Sequence, residues 1–174
     1  MERELAAPLF IAEASSNHGR DLSRAKAFVD AAADAGCGAV KFQLFKIDRM
    51  FAPEILAKSP KHRARAEWEL PLSHLAPLAG HCRARNIQFS CTPFYLEAVA
   101  ELAPFVDFYK VASYELLVDD LLKACAHAGK PVVLSTGMAT LDEIQAAARC
   151  LRDWGSRCST ESRRDRPARR RESG

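Results

Sequence analysis

The sequence predicts an α/β fold built on a parallel sheet, and three observations carry that prediction. Short apolar runs alternate with stretches of helical periodicity, five times along the chain. Polar residues collect where each apolar run ends. The composition is globular: 174 residues, 48% hydrophobic and 27% charged, with only 8 Gly and 9 Pro. Strands that each lead into a helix run parallel and connect by right-handed crossovers. Two architectures fit, a (β/α)₈ barrel and an open doubly wound sheet. The first βα turn lacks a GxGxxG, which makes a dinucleotide-binding sheet the weaker of the two.

Taken in order, Leu9–Ala12 is the first strand and ends in a polar cluster from Glu13 to His18. Leu22 to Ala35 carries apolar residues at 22, 25, 28, 29, 32 and 33, a helical stripe, with Asp21 placed as N-cap and Gly36 as the stop. Ala39–Leu44 is the second strand, and a longer irregular stretch containing Pro53 and Pro60 follows. Leu72 to Arg85 reads as helix, and Asn86 to Ser90 as the third strand, ending at Cys91-Thr92-Pro93. Leu96–Leu102 is a short helix, Asp107–Ala112 the fourth strand and Leu116–Ala128 the next helix. Val132–Ser135 is the fifth strand. The last helix opens on Thr140-Leu141-Asp142-Glu143, a capping box that satisfies free backbone N–H groups at a helix start.

The net charge of +3 is unevenly placed. Residues 156–174 hold seven Arg against three acids, a surplus of +4, so the remaining 155 residues carry 18 basic and 19 acidic side chains. A nearly neutral body excludes a strongly basic nucleic-acid-binding domain. The six Cys form no CxxC pair, which argues against a structural zinc site and a secreted disulfide scaffold. No apolar stretch reaches the ~18 residues of a membrane span, and the charged N-terminus lacks a signal-peptide core. Reduced thiols and no export signal give a cytoplasmic expectation.

A complete barrel needs eight strands and about 250 residues. Here apolar periodicity ends after Trp154-Gly155, and of the last 19 residues only Cys158 and Ala168 are hydrophobic. Residues 1–155 are therefore expected to form a partial barrel. Residues 156–174 are expected to form an Arg-rich disordered tail, and the abrupt change favours a frameshift-derived ending over a genuine arm.

In parallel α/β folds the chemistry sits at the C-terminal ends of the strands. Those ends supply Glu13, Asn17 and His18, then Lys41 and Gln43, Ser90 and Thr92, Lys110, Ser113 and Glu115, and Ser135 and Thr136. Lys41 and Lys110 each interrupt an apolar strand, where an unpaired ammonium would cost several kcal/mol. Either they pair internally with Glu13 or Glu115, or they form a cationic pocket for an anionic substrate; two such lysines beside several hydroxyls favour the pocket. Glu13 and Glu115 either neutralise the lysines or serve as general acid and base. His18 is as well explained by a structural hydrogen bond as by ligand contact.

Five segments, in register along residues 9 to about 154, carry a resemblance. They are Phe10-Ile11-Ala12-Glu13-Ala14-Ser15-Ser16-Asn17-His18, Val40-Lys41-Phe42-Gln43, Ser90-Cys91-Thr92-Pro93-Phe94, Tyr109-Lys110-Val111-Ala112-Ser113-Tyr114-Glu115 and Gly129 to Ile144. Together they resemble the sialic acid synthase family, which makes N-acetylneuraminate, legionaminate and pseudaminate. The resemblance implies a TIM-type (β/α)₈ barrel, truncated here after about five βα units, that condenses phosphoenolpyruvate with an N-acetylated aldose such as N-acetylmannosamine. It implies phosphoenolpyruvate contacts from Lys41, Thr92, Lys110, Ser113 and Ser135, further substrate contacts from Gln43, Asn17 and His18, and catalytic carboxylates at Glu13 and Glu115. It also implies a divalent metal, Mn2+ or Mg2+, held by two His of later strands, so none is expected for this chain by itself. A homodimer and a C-terminal antifreeze-like domain belong to the full-length family; that domain is expected to be absent here. The usual AEIGxNHxG reads AEASSNHGR, and the usual SGE reads Ser113-Tyr114-Glu115, with a Tyr that resembles the aromatic of pseudaminate-type members.

Other readings compete. One is a non-catalytic fragment whose Arg-rich tail binds anions; another is a different phosphoenolpyruvate-using sugar-phosphate synthase. On the leading reading the isolated chain is expected to be inactive.

Overall fold

A computed structural model describes residues 8–161. Six strands, β1 (Ile11–Ser15), β2 (Ala39–Leu44), β3 (Gln88–Pro93), β4 (Phe108–Val111), β5 (Val132–Ser135) and β6 (Cys158–Glu161), form one parallel sheet in sequence order. Helices α1 (Leu22–Asp34), α6 (Leu96–Leu102), α7 (Asp119–His127) and α8 (Leu141–Asp153) each connect neighbouring strands. Between β2 and β3 the chain makes three short helices, α2 (Ile47–Met50), α3 (Pro53–Lys58) and α4 (Pro60–Arg63), before the longer α5 (Leu75–Ala84). Sequence order in a parallel sheet is the order of a barrel wall, and a doubly wound sheet would reverse it at a switch point. Among the described residues β1 and β6 each pair on one side.

Local chemistry fixes the helix ends. The Asp21 carboxylate accepts from the N–H groups of Ser23 (2.7 Å) and Arg24 (3.2 Å), and Gly36 follows the helix at φ +77°. Thr140 and Glu143 make both halves of the expected capping box. The core lies between one face of the sheet and the helices. Val40, Phe42, Leu44, Phe89, Cys91, Tyr109, Val111, Val132 and Leu134 are buried there against Val29, Leu78, Leu102, Leu122 and Leu151. No helix of the described residues is long and apolar enough to cross a membrane.

The disordered tail expected from residue 156 is corrected at its start. Ser156 is buried, its N–H donates to Leu151 O (2.9 Å), and its hydroxyl donates to Lys130 O (3.3 Å). Cys158–Glu161 then pairs with Val132–Ser135. A parallel ladder is held by backbone groups, so a polar sequence without apolar alternation still forms it beside a buried neighbour. Residues 162–174, which hold six of the seven tail Arg, lie outside the described residues.

A candidate anion-binding face on the sheet

Register decides which side chains share the face away from the helices. Glu13, Lys41 and Ser90 lie level on β1, β2 and β3, and Gln43 lies level with Thr92. Ser90 is level with Phe108, so Lys110, two residues on, returns to the same face. Lys110 in turn is level with Val133, which puts Ser135 there as well. Seven of the polar residues singled out in the sequence thus occupy one surface, while the residues between them fill the core.

Two contact groups form on that surface. The Lys41 ammonium, its side chain only 7% exposed, donates to Glu13 Oε2 at 2.5 Å and to Thr92 Oγ1 at 3.4 Å. Glu13 is 54% exposed and so forms the wet end of this pair. Lys110 Nζ donates to Ser135 Oγ. Ser90 is fully buried and its hydroxyl donates to Phe108 O (3.0 Å), which ties β3 to β4 and commits that proton to structure. A β-bulge shifts the register between Glu13 and Ser15, and Ser15 sits at φ +54°, an unusual conformation for a residue with a Cβ. The bulge turns the chain sharply just after it has delivered Glu13.

Ser113 and Glu115 belong to a 3₁₀ turn, Ser113–Glu115, that follows β4. The turn packs beside the loop after β5: a Cβ built on Gly137 would stand 3.8 Å from Ser113 Cβ. Glu115 is half-buried, its Oε2 has no hydrogen-bond partner among the described residues, and burial pushes its carboxyl above the usual carboxylate range. Thr136 is buried in the same loop region.

Two expected substrate contacts stand apart. His18 is fully buried with its ring 6.3 Å from that of Phe42, which faces the core. Its Nδ1 accepts from the Arg20 N–H at 2.9 Å. Burial first, and then the nearby His74, Arg20 and Arg24, lower its pKa to about 4. His18 is thus a buried histidine packed beside Phe42, and its Nε2 is buried without a hydrogen-bond partner among the described residues. Asn17 is exposed and donates from Nδ2 to Ala14 O (3.1 Å), closing that turn.

One group of residues escaped the sequence reading. Phe45, Met50, Arg65, Trp68 and Phe94 line a small cavity together with Gln43. Helices of four to six residues show too little periodicity to be read, although the aromatic residues scattered through this polar stretch were a signal. The gathered donors do not suit a divalent cation. Two ammonium groups share the face, and no group of three or more His, Cys, Asp or Glu among the described residues is placed to hold a metal.

Known proteins share this arrangement of chain. The spore coat polysaccharide biosynthesis protein SpsE of Bacillus subtilis is 34% identical over 86% of this chain and 43% of its own length. The N,N'-diacetyllegionaminic acid synthase of Campylobacter jejuni is 36% identical over 88% of this chain and 52% of its own. Among solved structures, the N-acetylneuraminic acid synthetase of Leptospira borgpetersenii superimposes with a TM-score of 0.80 at 32% identity, covering 89% of this chain and 54% of that one. A 3-deoxy-D-arabino-heptulosonate 7-phosphate synthase of Thermotoga maritima reaches a TM-score of 0.67 at 13% identity, a likeness of fold alone. The chain spans about half the length of the curated relatives it matches. The NeuB family profile matches residues 28–164, a span that takes in β2 to β6. With the fold, the order of its segments and this match in agreement, the chain belongs to the NeuB family.

Proposed function

We propose that this chain supplies the phosphoenolpyruvate-binding half of a nonulosonic acid synthase, which condenses phosphoenolpyruvate with an N-acetylated aldose such as N-acetylmannosamine. One observation carries the reading: two ammonium groups from separate strands share a face with Thr92, Ser135 and Gln43 hydroxyl or amide groups. A ligand bearing both a phosphate and a carboxylate matches two cations set among hydroxyls. The names of the relatives agree with that class of product.

The reaction needs one carbon–carbon bond, one proton donor and one proton acceptor. C3 of phosphoenolpyruvate attacks the sugar aldehyde carbon, and the aldehyde oxygen takes up a proton to become a hydroxyl. Water adds at C2 and loses a proton, and the C2–O bond to phosphate then breaks to leave the keto acid. Glu115 is the proton donor on this reading, because burial favours its protonated form. Glu13 is the acceptor beside C2, half in solvent and held by Lys41. Lys41 and Lys110, with Thr92, Ser113 and Ser135, hold the phosphate and carboxylate and stabilise the charge that leaves with phosphate. No step is assigned to a metal through these residues.

Turnover is assigned to the complete barrel, so the 174-residue chain alone is expected to bind phosphoenolpyruvate without converting it. The test is ³¹P NMR of phosphoenolpyruvate titrated with the chain. Saturable line broadening is expected, and loss of it in both Lys41→Met and Lys110→Met. Broadening that survives in both variants would remove the lysines from the site.

A further inference from the structure

Between β2 and α5 the chain leaves the sheet in a run of short helices that carries a concentrated positive charge. Residues 55–66 hold Lys58, Lys61, Arg63 and Arg65 and no acid. The rest of residues 1–155 carries 14 basic side chains against 19 acidic ones, so this stretch is a positive pole on a negative body. Cations at its borders are neutralised: Lys46 meets Glu101 at 3.2 Å, Arg49 meets Glu97 at 3.0 Å and Arg20 lies 3.9 Å from Glu69. Lys58, Lys61, Arg63 and Arg65 have no carboxylate partner among the described residues. Four like charges so close in the chain repel one another, so folding gains nothing from gathering them.

The pole is fixed in place beside the anion-binding face. Arg63 donates to Leu56 O and to Ala57 O (3.1 Å), carbonyls at the end of α3. The Arg65 guanidinium lies 5.7 Å from the Phe51 ring and 5.8 Å from that of Trp68. Arg20 donates to Ala66 O (3.1 Å), which ties the stretch to the turn after β1. Arg65 lines the same cavity as Gln43, and Gln43 is level with Thr92, whose hydroxyl accepts from Lys41. Lys58 and Lys61 are exposed, so their charges act through solvent. The sheet face alone draws an anion poorly. Lys41 is nearly buried, and the half-exposed carboxylate of Glu13 is the wet end of its ion pair, so an approaching anion meets a negative group first.

We propose that residues 58–65 form an electrostatic entry rim that draws phosphoenolpyruvate to the sheet and delivers it to Lys41 and Lys110. The proposal rests on the reading of the sheet face as the phosphoenolpyruvate site. The rim acts on the rate of association and not on the bound complex, because its exposed lysines touch the ligand only in transit. Charge of one sign beside a site raises on-rates by about 10-fold to about 1000-fold for ligands of the other sign, and salt screens the effect.

The test is ³¹P line-shape analysis of phosphoenolpyruvate with the full 174-residue chain, which gives kon and koff separately. It is run at about 20 mM and about 200 mM NaCl, where the Debye length is about 20 Å and about 7 Å. The rim variants are Lys58→Gln/Lys61→Gln and Lys58→Glu/Lys61→Glu, and their far-UV circular dichroism should match the parent. A control pair, Lys26→Gln/Lys123→Gln, removes the same charge from α1 and α7. At the lower salt kon is expected to fall about threefold in the neutral pair and about tenfold in the reversed pair, with koff within about twofold of the parent. At the higher salt the differences should shrink below about twofold, and the control pair should leave kon unchanged. Unchanged kon in both rim variants overturns the rim and leaves the sheet face standing. A loss carried by koff, a loss undiminished at the higher salt, or an equal loss in the control pair does the same. No binding by the parent chain, or binding that persists in both Lys41→Met and Lys110→Met, overturns the sheet face and the rim together.

Discussion

Removing Glu13 and removing Lys41 break the same ion pair, yet the structure requires unequal costs. The Lys41 side chain is 7% exposed and, once Glu13 is gone, keeps Thr92 Oγ1 at 3.4 Å on this face. Breaking a buried pair by deleting one partner costs about 3–5 kcal/mol, because the other charge is left without compensation. Water entering through the half-exposed position of Glu13 lowers that figure, so Glu13→Ala should cost about 2–3 kcal/mol. In Lys41→Met the orphan is Glu13, already 54% exposed, and the loss falls to the ~0–1 kcal/mol of a surface pair while Met keeps the apolar stem. With a urea m-value of about 2 kcal/mol/M, the midpoint should drop by about 1–1.5 M in Glu13→Ala and by less than about 0.5 M in Lys41→Met. Phosphoenolpyruvate sharpens the contrast. A ligand at 100 times its Kd adds about 2.7 kcal/mol to the folded state. It should restore Glu13→Ala, whose bare ammonium it neutralises, and leave Lys41→Met unmoved. Equal midpoints for the two variants, or ligand rescue of Lys41→Met, would refute the assignment of Lys41 as a buried cation facing the ligand.

Three further outcomes are expected. His18, held near pKa 4 in the fold against 6.5 unfolded, takes up its proton more readily in the unfolded chain; its contribution to stability is full above pH 6.5 and is lost as the pH falls toward 4, at up to about 1.4 kcal/mol per unit, and its imidazole resonance should not titrate above about pH 5 by NMR. Glu115 has the opposite sign, since burial raises its carboxyl: its contribution is full below the ordinary carboxylate pKa and is lost as the pH rises through the raised folded value, so Glu115→Gln should gain thermal stability relative to the parent as the pH climbs from below to above the carboxylate range, and a constant difference between their melting curves would contradict its burial. Ser15→Gly removes a side chain from a left-handed conformation that costs about 1–2 kcal/mol but adds up to about 1 kcal/mol of backbone entropy to the unfolded chain, so a net gain under about 1 kcal/mol is expected in urea melts, and a loss would show that the Ser15 side chain supports the bulge.

Much of this was legible because strand alternation and helix caps are local. Ala39–Leu44 and Val132–Ser135 were legible to the residue, since Gly36 and Gly38 precede the first run, Gly129-Lys130-Pro131 precedes the second, and polar residues follow both. Asp21 and Thr140 announced their helices by the same short-range chemistry. Alternation also paired Lys41 with Gln43 and Ser90 with Thr92 on one face, and register brought the two strands level. What escaped depended on contacts that no local pattern encodes. β6 is a backbone ladder with almost no apolar residue, so it exists only because β5 is there to pair with. The full burial of His18 beside Phe42 depends on the turn that follows the bulge between Glu13 and Ser15, which strand alternation does not encode. The orphaned oxygen of Glu115 reflects packing around a 3₁₀ turn, and its burial is a tertiary property.

The two faces of this sheet pose opposite physical problems, and the contrast bears on function. The helix-facing side chains are nearly all apolar and fully buried, and stability alone accounts for them. The other face could have been filled in the same way, since parallel strands are commonly apolar on both faces. It carries instead a buried ammonium, a second lysine bonded to a serine hydroxyl, a buried Thr and a buried Ser. Replacing buried ion pairs by well-packed apolar residues is often neutral or stabilising, so folding does not demand these groups. Ser90 is used within the fold, through its bond to Phe108 O. Lys41 and Lys110 stand on the same face, and a bulge with a left-handed serine follows the residue whose carboxylate pairs with Lys41. A face that is costly to fold and that gathers charged and hydroxyl side chains where strand ends meet is not explained by stability alone.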